Sequence, residues 1–170
     1  MTALYATIWV ALVLFVAGES GRSFSPPGRK PPTWAWWLFI VGWIAAIVHT
    51  LIAFDVVHGW SHDAAVQSTA TQTEAMFGKP VGAGVYVNYV FFAVWLADAW
   101  WWKTAPPGYV RPAAVTWALR AFYFVIIINA AVVFVPGGRR IIGLVLVSWL
   151  ARIWMTPRYV EPRARPALRR

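Results

Sequence analysis

All three histidines of the chain lie in one stretch, from His49 to Asp63, with two of its six acidic residues. Imidazole and carboxylate groups bind transition metals, and imidazole also accepts and donates protons near neutral pH. The stretch follows a very apolar segment, and ionisable side chains in or beside hydrocarbon are costly. We therefore take it as the first candidate for a functional site.

Helical spacing divides this stretch into two parts. At about 100° per residue, Asp55 lies about 60° from His58, and His58 lies about 40° from His62. If the helix continues through Gly59, these three side chains form one stripe that can hold a metal ion or ligate a haem. A structural hydrogen-bond cluster is the alternative interpretation. Two further ligand candidates follow in the loop, Asp63 and Glu74.

A second polar group is predicted deeper in the chain's apolar segments. His49 lies nine residues before His58 and so faces the opposite side of the helix. Asn88 and Asn129 lie at a similar depth in two later apolar segments, about 10 Å from their ends at about 1.5 Å per residue. The sequence predicts a polar packing layer of His49, Asn88 and Asn129, hydrogen-bonded across helices. A ligand-binding role for the layer is the alternative.

Two charged residues lie near the other ends of these segments. Asp98 and Arg120 belong to neighbouring apolar segments that a short loop joins. Because charges inside a membrane usually pair, we predict an Asp98–Arg120 ion pair. A proton or ion pathway is the functional alternative.

Several familiar sites are missing from the sequence. The chain has no cysteine, which excludes disulfides, thiolate metal sites and a cysteine nucleophile. The histidine pair lacks the glutamate of the HExxH metalloprotease motif, and Ser61 has no nucleophile elbow around it. Neither a phosphate-binding loop nor a dinucleotide fingerprint is present. Whether the protein is an enzyme is left open.

Composition places these residues in a membrane protein. Of 170 residues, 60% are hydrophobic and 12% charged, and the mean hydropathy is +0.58. Soluble domains carry about 25% charged residues. The net charge of +9 comes mainly from basic residues between the apolar segments and in the tail, which membrane topology already explains. We therefore expect a lipid bilayer as partner and no nucleic acid.

The sequence predicts an all-α, multi-pass bundle of five transmembrane helices in one domain, residues 1–156. Helices are predicted because no period-2 alternation supports a barrel. A short interfacial helix is predicted between spans two and three, capped by Ser61 and stopped at Gly78. The predicted spans are 2–17, 34–57, 81–102, 113–135 and 141–155.

Basic residues predict the orientation. With the N-terminus outside, the cytoplasmic segments hold ten basic residues and the external ones three. Eight of thirteen tryptophans then lie at the cytoplasmic ends of the spans, where the aromatic belt is expected. The basic tail, residues 157–170, is predicted to be cytoplasmic, either on anionic lipid or solvated. Composition favours a bacterial inner membrane.

Three functions follow from these features. The first is a membrane protein that binds a transition metal or haem at its external face through Asp55, His58 and His62. The second is a non-catalytic accessory or structural subunit of a larger membrane complex. The third is a small oligomeric channel or transporter. Because 170 residues form a small bundle, we expect a homo-oligomer or other membrane subunits as partners.

Overall fold

The computed structural model describes residues 2–26 and 29–156, which form helices and turns and no strands. The all-α class is therefore confirmed for the described residues. The predicted basic tail, 157–170, lies outside them. In chain order the helices are α1 (Thr2–Ser23), α2 (Thr33–Val56), α3 (His62–Phe77), α4 (Gly84–Thr104), α5 (Ala113–Ile128) with a π-helical extension (Asn129–Val133), and α6 (Arg139–Met155).

Three helices are long and apolar enough to cross a membrane: Ala3–Ser23, Thr33–Val56 and Ala113–Val133. Their presence supports a membrane-embedded protein. The other two predicted spans are less apolar or shorter. α4 carries Asn88, Asp98 and Lys103, and α6 has 17 residues. The structure therefore supports membrane-spanning helices, while their number and orientation stay predictions.

The first helix is longer than predicted. We expected the first span to end at Ala17, but α1 continues to Ser23. Close packing on α2 explains the extension, because the small residues Gly18 and Gly21 let the two backbones approach. A Cβ added at Gly18 would lie 2.9 Å from the Ala35 carbonyl oxygen. The extension carries residues that we had assigned to the first loop into the bundle.

An aromatic core joins four helices. Phe15 of α1 lies 5.2 Å from Phe39 of α2, 4.9 Å from Trp95 of α4 and 5.2 Å from Tyr123 of α5, measured between ring centroids. All four side chains are buried. Such large rings bury much apolar area in edge-to-face and tilted contacts, and they fix the relative positions of the helices.

The end of α5 and the start of α6 make the closest backbone contact. A Cβ added at Gly143 of α6 would lie 1.9 Å from the carbonyl oxygen of Ala131 in the π-helical extension. The wider π turn closes with a hydrogen bond from the Phe134 amide to the Asn129 carbonyl, 3.0 Å. Only glycine allows this approach, because any side chain would meet backbone.

Helix α3 begins and ends where the sequence predicts. The Ser61 hydroxyl accepts a hydrogen bond from the Ala64 amide, 3.2 Å, and Gly78 ends the helix in the left-handed conformation, φ 70°. It packs partly on the chain that leads into α4, where Val66 lies against Gly82. The helix is confirmed, and its position at a membrane surface stays a prediction.

The bundle has two polar ends, which we name by their charged side chains. The histidine end is where α2 ends at Val56 and α4 begins at Gly84. The arginine end is where α1 ends at Ser23 and α4 ends at Thr104. The two candidate groups of polar residues therefore lie at opposite ends of the helices.

Candidate functional site

At the histidine end, the chain leaves the helix before the predicted metal stripe is complete. α2 ends at Val56, and Gly59 and Trp60 adopt left-handed conformations, φ 54° and 59°. The helix therefore does not continue through Gly59, which was the condition for the stripe. The Trp60 indole nitrogen turns back and donates to the Asp55 carboxylate, 3.0 Å.

The two histidines of this turn have different neighbours. His62 lies between two tyrosines, with Nε2 3.2 Å from the Tyr86 hydroxyl and Nδ1 3.2 Å from the Tyr89 hydroxyl. The His58 ring packs against Phe54 at 5.7 Å. Both nitrogens of His62 are thus engaged, and a metal ion would have to displace a tyrosine.

Residues 2–26 and 29–156 contain no group of three or more histidine, aspartate or glutamate side chains placed to hold a metal ion. The two further ligand candidates, Asp63 and Glu74, are both exposed on α3. Asp63 lies in the first turn of α3, where a negative charge favours the helix dipole. Glu74 is exposed near the other end of α3. Metal or haem binding by these residues stays a prediction.

The predicted polar layer is not joined by the hydrogen bonds that the structure shows. His49 Nδ1 lies 2.9 Å from the Leu4 carbonyl and 3.3 Å from the Thr7 hydroxyl, so its polar partners are on α1. The Asn129 amide donates to the Val125 carbonyl of its own helix, 2.7 Å. Asn88 is exposed on α4. A layer spanning these helices stays a prediction.

At the arginine end, Asp98 is the centre of a buried ionic cluster. Its side chain is 1% exposed. Arg22 of α1 donates to both carboxylate oxygens, 2.9 and 3.0 Å, and Arg111 from the loop before α5 also pairs with it. The Tyr123 hydroxyl adds a hydrogen bond of 3.3 Å. Bidentate contacts of this kind fix the guanidinium group in orientation as well as position.

Glu19 extends this cluster to the last helix. It is 4% exposed, and it accepts hydrogen bonds from Arg22, 3.2 Å, and from the Trp154 indole, 2.8 Å. Sequence reasoning missed Glu19 and Arg22 because both were placed in the first loop. Their spacing of three residues, which suits a helical ion pair, was the available signal.

Arg120 lies on the α6 side of the same end. It donates to the Trp154 carbonyl, 3.2 Å, and its guanidinium group lies 5.1 Å from the Trp117 ring. The prediction that Asp98 is paired agrees with the structure, but the ion pairs shown for Asp98 are with Arg22 and Arg111. The Asp98–Arg120 pair itself stays a prediction.

A cavity of about 150 Å³ opens beside this cluster. It lies between the first loop, the end of α4 and the start of α5. Two of its arginines also stack on tryptophans, Arg22 at 4.8 Å from Trp102 and Arg111 at 5.6 Å from Trp101. Its charged lining comprises five basic residues and one acidic residue: Arg22, Arg29, Lys30, Arg111, Arg120 and Glu19.

The lining suits the binding of an anion. Its arginine donors are charged, partly shielded from water and held by neighbouring groups, which are the conditions for strong charge-assisted hydrogen bonds. The chain matches no protein family, no curated protein and no solved structure with which it was compared.

Proposed function

We propose that this protein is a five-span integral membrane protein that binds an anion in the cavity at its arginine end. The carrying observation is the excess of positive charge around the cavity, where five basic residues face Glu19 in the lining and the buried Asp98 that holds two of the arginines. A preorganised pair of arginines loses little freedom on binding, so more of the interaction energy becomes affinity.

Contacts along the helices support five spans. α6 follows α1 over its length, since Arg139 lies over the Tyr5 ring at 4.1 Å and Trp154 reaches Glu19 at 2.8 Å. α6 therefore covers nearly the same depth as a helix that is long and apolar enough to span. α4 runs against α2 in the same way, and its backbone accepts indole hydrogen bonds from Trp36 and Trp43.

Charge supports the orientation. The loops at the arginine end, with the basic tail, hold most of the basic residues outside the helices. The positive-inside rule places that end in the cytoplasm and the N-terminus outside. The cavity would then face the cytoplasmic side of a bacterial inner membrane.

The absence of cysteine makes this topology simple to test. Single cysteines can replace one residue in each of the four connections: Lys30, Lys79, Val110 and Gly138. We expect a membrane-impermeant thiol reagent applied to intact cells to label the second and fourth variants and not the first and third. Labelling of adjacent connections from the same side would contradict five spans.

Anion binding is tested with inorganic phosphate and protein in nanodiscs of phosphatidylcholine. A ligand that binds the folded state at about 100 times its Kd stabilises that state by about 2.7 kcal/mol. We expect phosphate to raise the thermal unfolding temperature saturably at constant ionic strength. We expect the Arg29→Gln/Lys30→Gln double variant to weaken this effect, because both side chains are exposed at the mouth of the cavity.

A matched control removes two positive charges at the histidine end, Lys79→Gln/Arg140→Gln. It should leave the response to phosphate unchanged. A response that does not saturate, or that both double variants lose equally, would reflect general ionic effects and count against the proposal.

Asn88 favours an accessory-subunit role as the second candidate function. It is an exposed amide on α4 beside the exposed Val87 and Val90. A polar side chain on a lipid-facing surface gains a hydrogen bond when another helix covers it. Asn88→Leu should then weaken association with a second subunit, which co-purification in mild detergent would detect. A monomer in that detergent would count against this role.

A further inference from the structure

We infer that the anion held in this cavity is the phosphate group of an anionic membrane lipid, an inference that rests on the proposed anion binding. The cavity has room for a phosphate headgroup but does not enclose a drug-sized ligand. Its volume is about 150 Å³, whereas pockets that enclose drug-sized ligands measure about 300–1,000 Å³. Only the phosphate headgroup of a lipid has to fit in the cavity, because the acyl chains remain in the bilayer.

The surroundings of the cavity are those of a membrane–water interface. Trp101 and Tyr109 line it, and both are exposed. The neighbouring Trp100 and Trp117 are exposed as well, at 71% and 51%. Tryptophan and tyrosine concentrate at the level of the lipid headgroups, so the mouth of the cavity lies where a lipid phosphate is found.

The basic side chains are arranged in two tiers. Arg22 and Arg111 lie deeper, with side chains 16% and 14% exposed, and Asp98 orients both. Arg29 and Lys30 are exposed on the first loop, beside Pro26 and Pro31 of the lining. Basic pockets between helices on the cytoplasmic side are a known mode of phospholipid headgroup binding. The deep tier would orient the phosphate, and the exposed tier would attract it.

The glutamate in the lining does not oppose this assignment. Both oxygens of Glu19 accept hydrogen bonds, one from Arg22 and the other from the Trp154 indole. Its charge is therefore directed at the cluster and balanced there. Glu19 and Asp98 together balance Arg22 and Arg111, and the exposed Arg29 and Lys30 at the mouth then make the cavity attractive to a phosphate.

The experiment uses the full chain in nanodiscs of phosphatidylcholine, with and without phosphatidylglycerol. Lipids retained after transfer to detergent are counted by native mass spectrometry. We expect phosphatidylglycerol to be retained selectively. The Arg29→Gln/Lys30→Gln variant should bind it about twenty-fivefold more weakly, at about a fivefold loss for each basic residue near the membrane surface.

The Lys79→Gln/Arg140→Gln control separates this site from general attraction to an anionic surface, because both faces of a nanodisc carry the same lipid. Equal loss of phosphatidylglycerol in both double variants would overturn the lipid assignment. Stabilisation by inorganic phosphate without selective lipid retention would also overturn it, while leaving the proposed anion binding intact. If neither phosphate nor phosphatidylglycerol binds, both proposals fail.

Discussion

The two ends of the bundle hold their polar side chains in different ways. At the histidine end, His62 and Asp55 make hydrogen bonds of 3.0–3.2 Å to tyrosine and tryptophan side chains in partly exposed positions. At the arginine end, Asp98 and Glu19 are buried and ion-paired, Glu19 with Arg22 of its own helix and Asp98 with arginines from two other segments. At the histidine end the clustered residues bond to aromatic side chains 5 to 27 positions away, whereas Arg22 and Asp98, 76 positions apart, form the tighter contact. Clustering in sequence is therefore a poor guide to a preorganised site.

The sharpest test of this contrast is a matched pair of substitutions, Asp98→Ala and Asp55→Ala. Removing one partner from a buried ion pair leaves an uncompensated charge, and we expect Asp98→Ala to lower the free energy of unfolding by about 3–5 kcal/mol. Asp55→Ala removes a hydrogen bond to Trp60 in an exposed position and should lower it by about 1 kcal/mol. Unfolding by SDS in mixed micelles measures both.

A second variant guards against a trivial loss of folding. Asp98→Asn/Arg111→Gln removes both charges of one pair and leaves Arg22 paired with Glu19, so it should recover part of the stability that Asp98→Asn alone loses. Equal losses for Asp98→Ala and Asp55→Ala would remove the contrast between the two ends.

Backbone packing, rather than polar contacts, should stabilise the helices towards the histidine end. Gly143→Ala places a methyl group against the Ala131 carbonyl, and we expect a loss of about 1–3 kcal/mol from overpacking. Gly138→Ala is the control, because a Cβ there meets no atom within 4 Å and the backbone is helical. Both variants are compared in the same SDS titration. A neutral Gly143→Ala would show that α6 can move away at little cost.

The His62 contacts should contribute less. Tyr86→Phe and Tyr89→Phe each remove one hydroxyl next to the imidazole, and a typical hydrogen bond contributes about 0.5–1.5 kcal/mol. Because these groups are partly exposed, we expect the lower part of that range. A double-mutant cycle with His62→Ala assigns the loss to the contact itself. A loss as large as that of Asp98→Ala would mean that this trio, too, is a structural anchor.

The smallest effect is expected for the metal content of the protein when the histidines are replaced. His62 is occupied by two tyrosines and His58 lies against Phe54, so we expect His58→Ala and His62→Ala to leave the metal content of the purified protein unchanged. Elemental analysis and an absorption spectrum measure it. About one metal ion or haem per chain, lost in both variants, would instead restore the histidine end as the principal site.

The sequence predicted a helix end correctly where residues within a few positions determine that end. Ser61 and Gly78 mark the ends of α3 because a cap and a left-handed stop act within a few residues. The predicted end of the first span at Ala17 was wrong because residues distant in sequence determine where α1 ends. Gly18 and Gly21 extend the helix through contacts with α2, and a polar Glu19–Arg22 segment otherwise resembles a loop.

The candidate sites show the same division. Helical angles predicted one stripe of Asp55, His58 and His62 on the condition that the helix continues through Gly59. The left-handed conformations of Gly59 and Trp60 show that it does not. Because a charge in a membrane is costly, we predicted that Asp98 has a basic partner, but the sequence did not show which one. Arg22 comes from α1 and Arg111 from a loop, and only the packed bundle brings them together.

The Glu19–Arg22 pair matters before the bundle is complete. A ribosome makes α1 and α2 long before Asp98 of α4 exists. Before α4 is made, Arg22 at the end of α1 lacks Asp98, and a charge beside hydrocarbon is costly when it has no partner. Glu19 lies one helical turn away on the same helix, so it can pair with Arg22 before α4 is made. In the complete bundle Arg22 contacts both carboxylates, so Asp98 adds to the Glu19 pair and does not replace it.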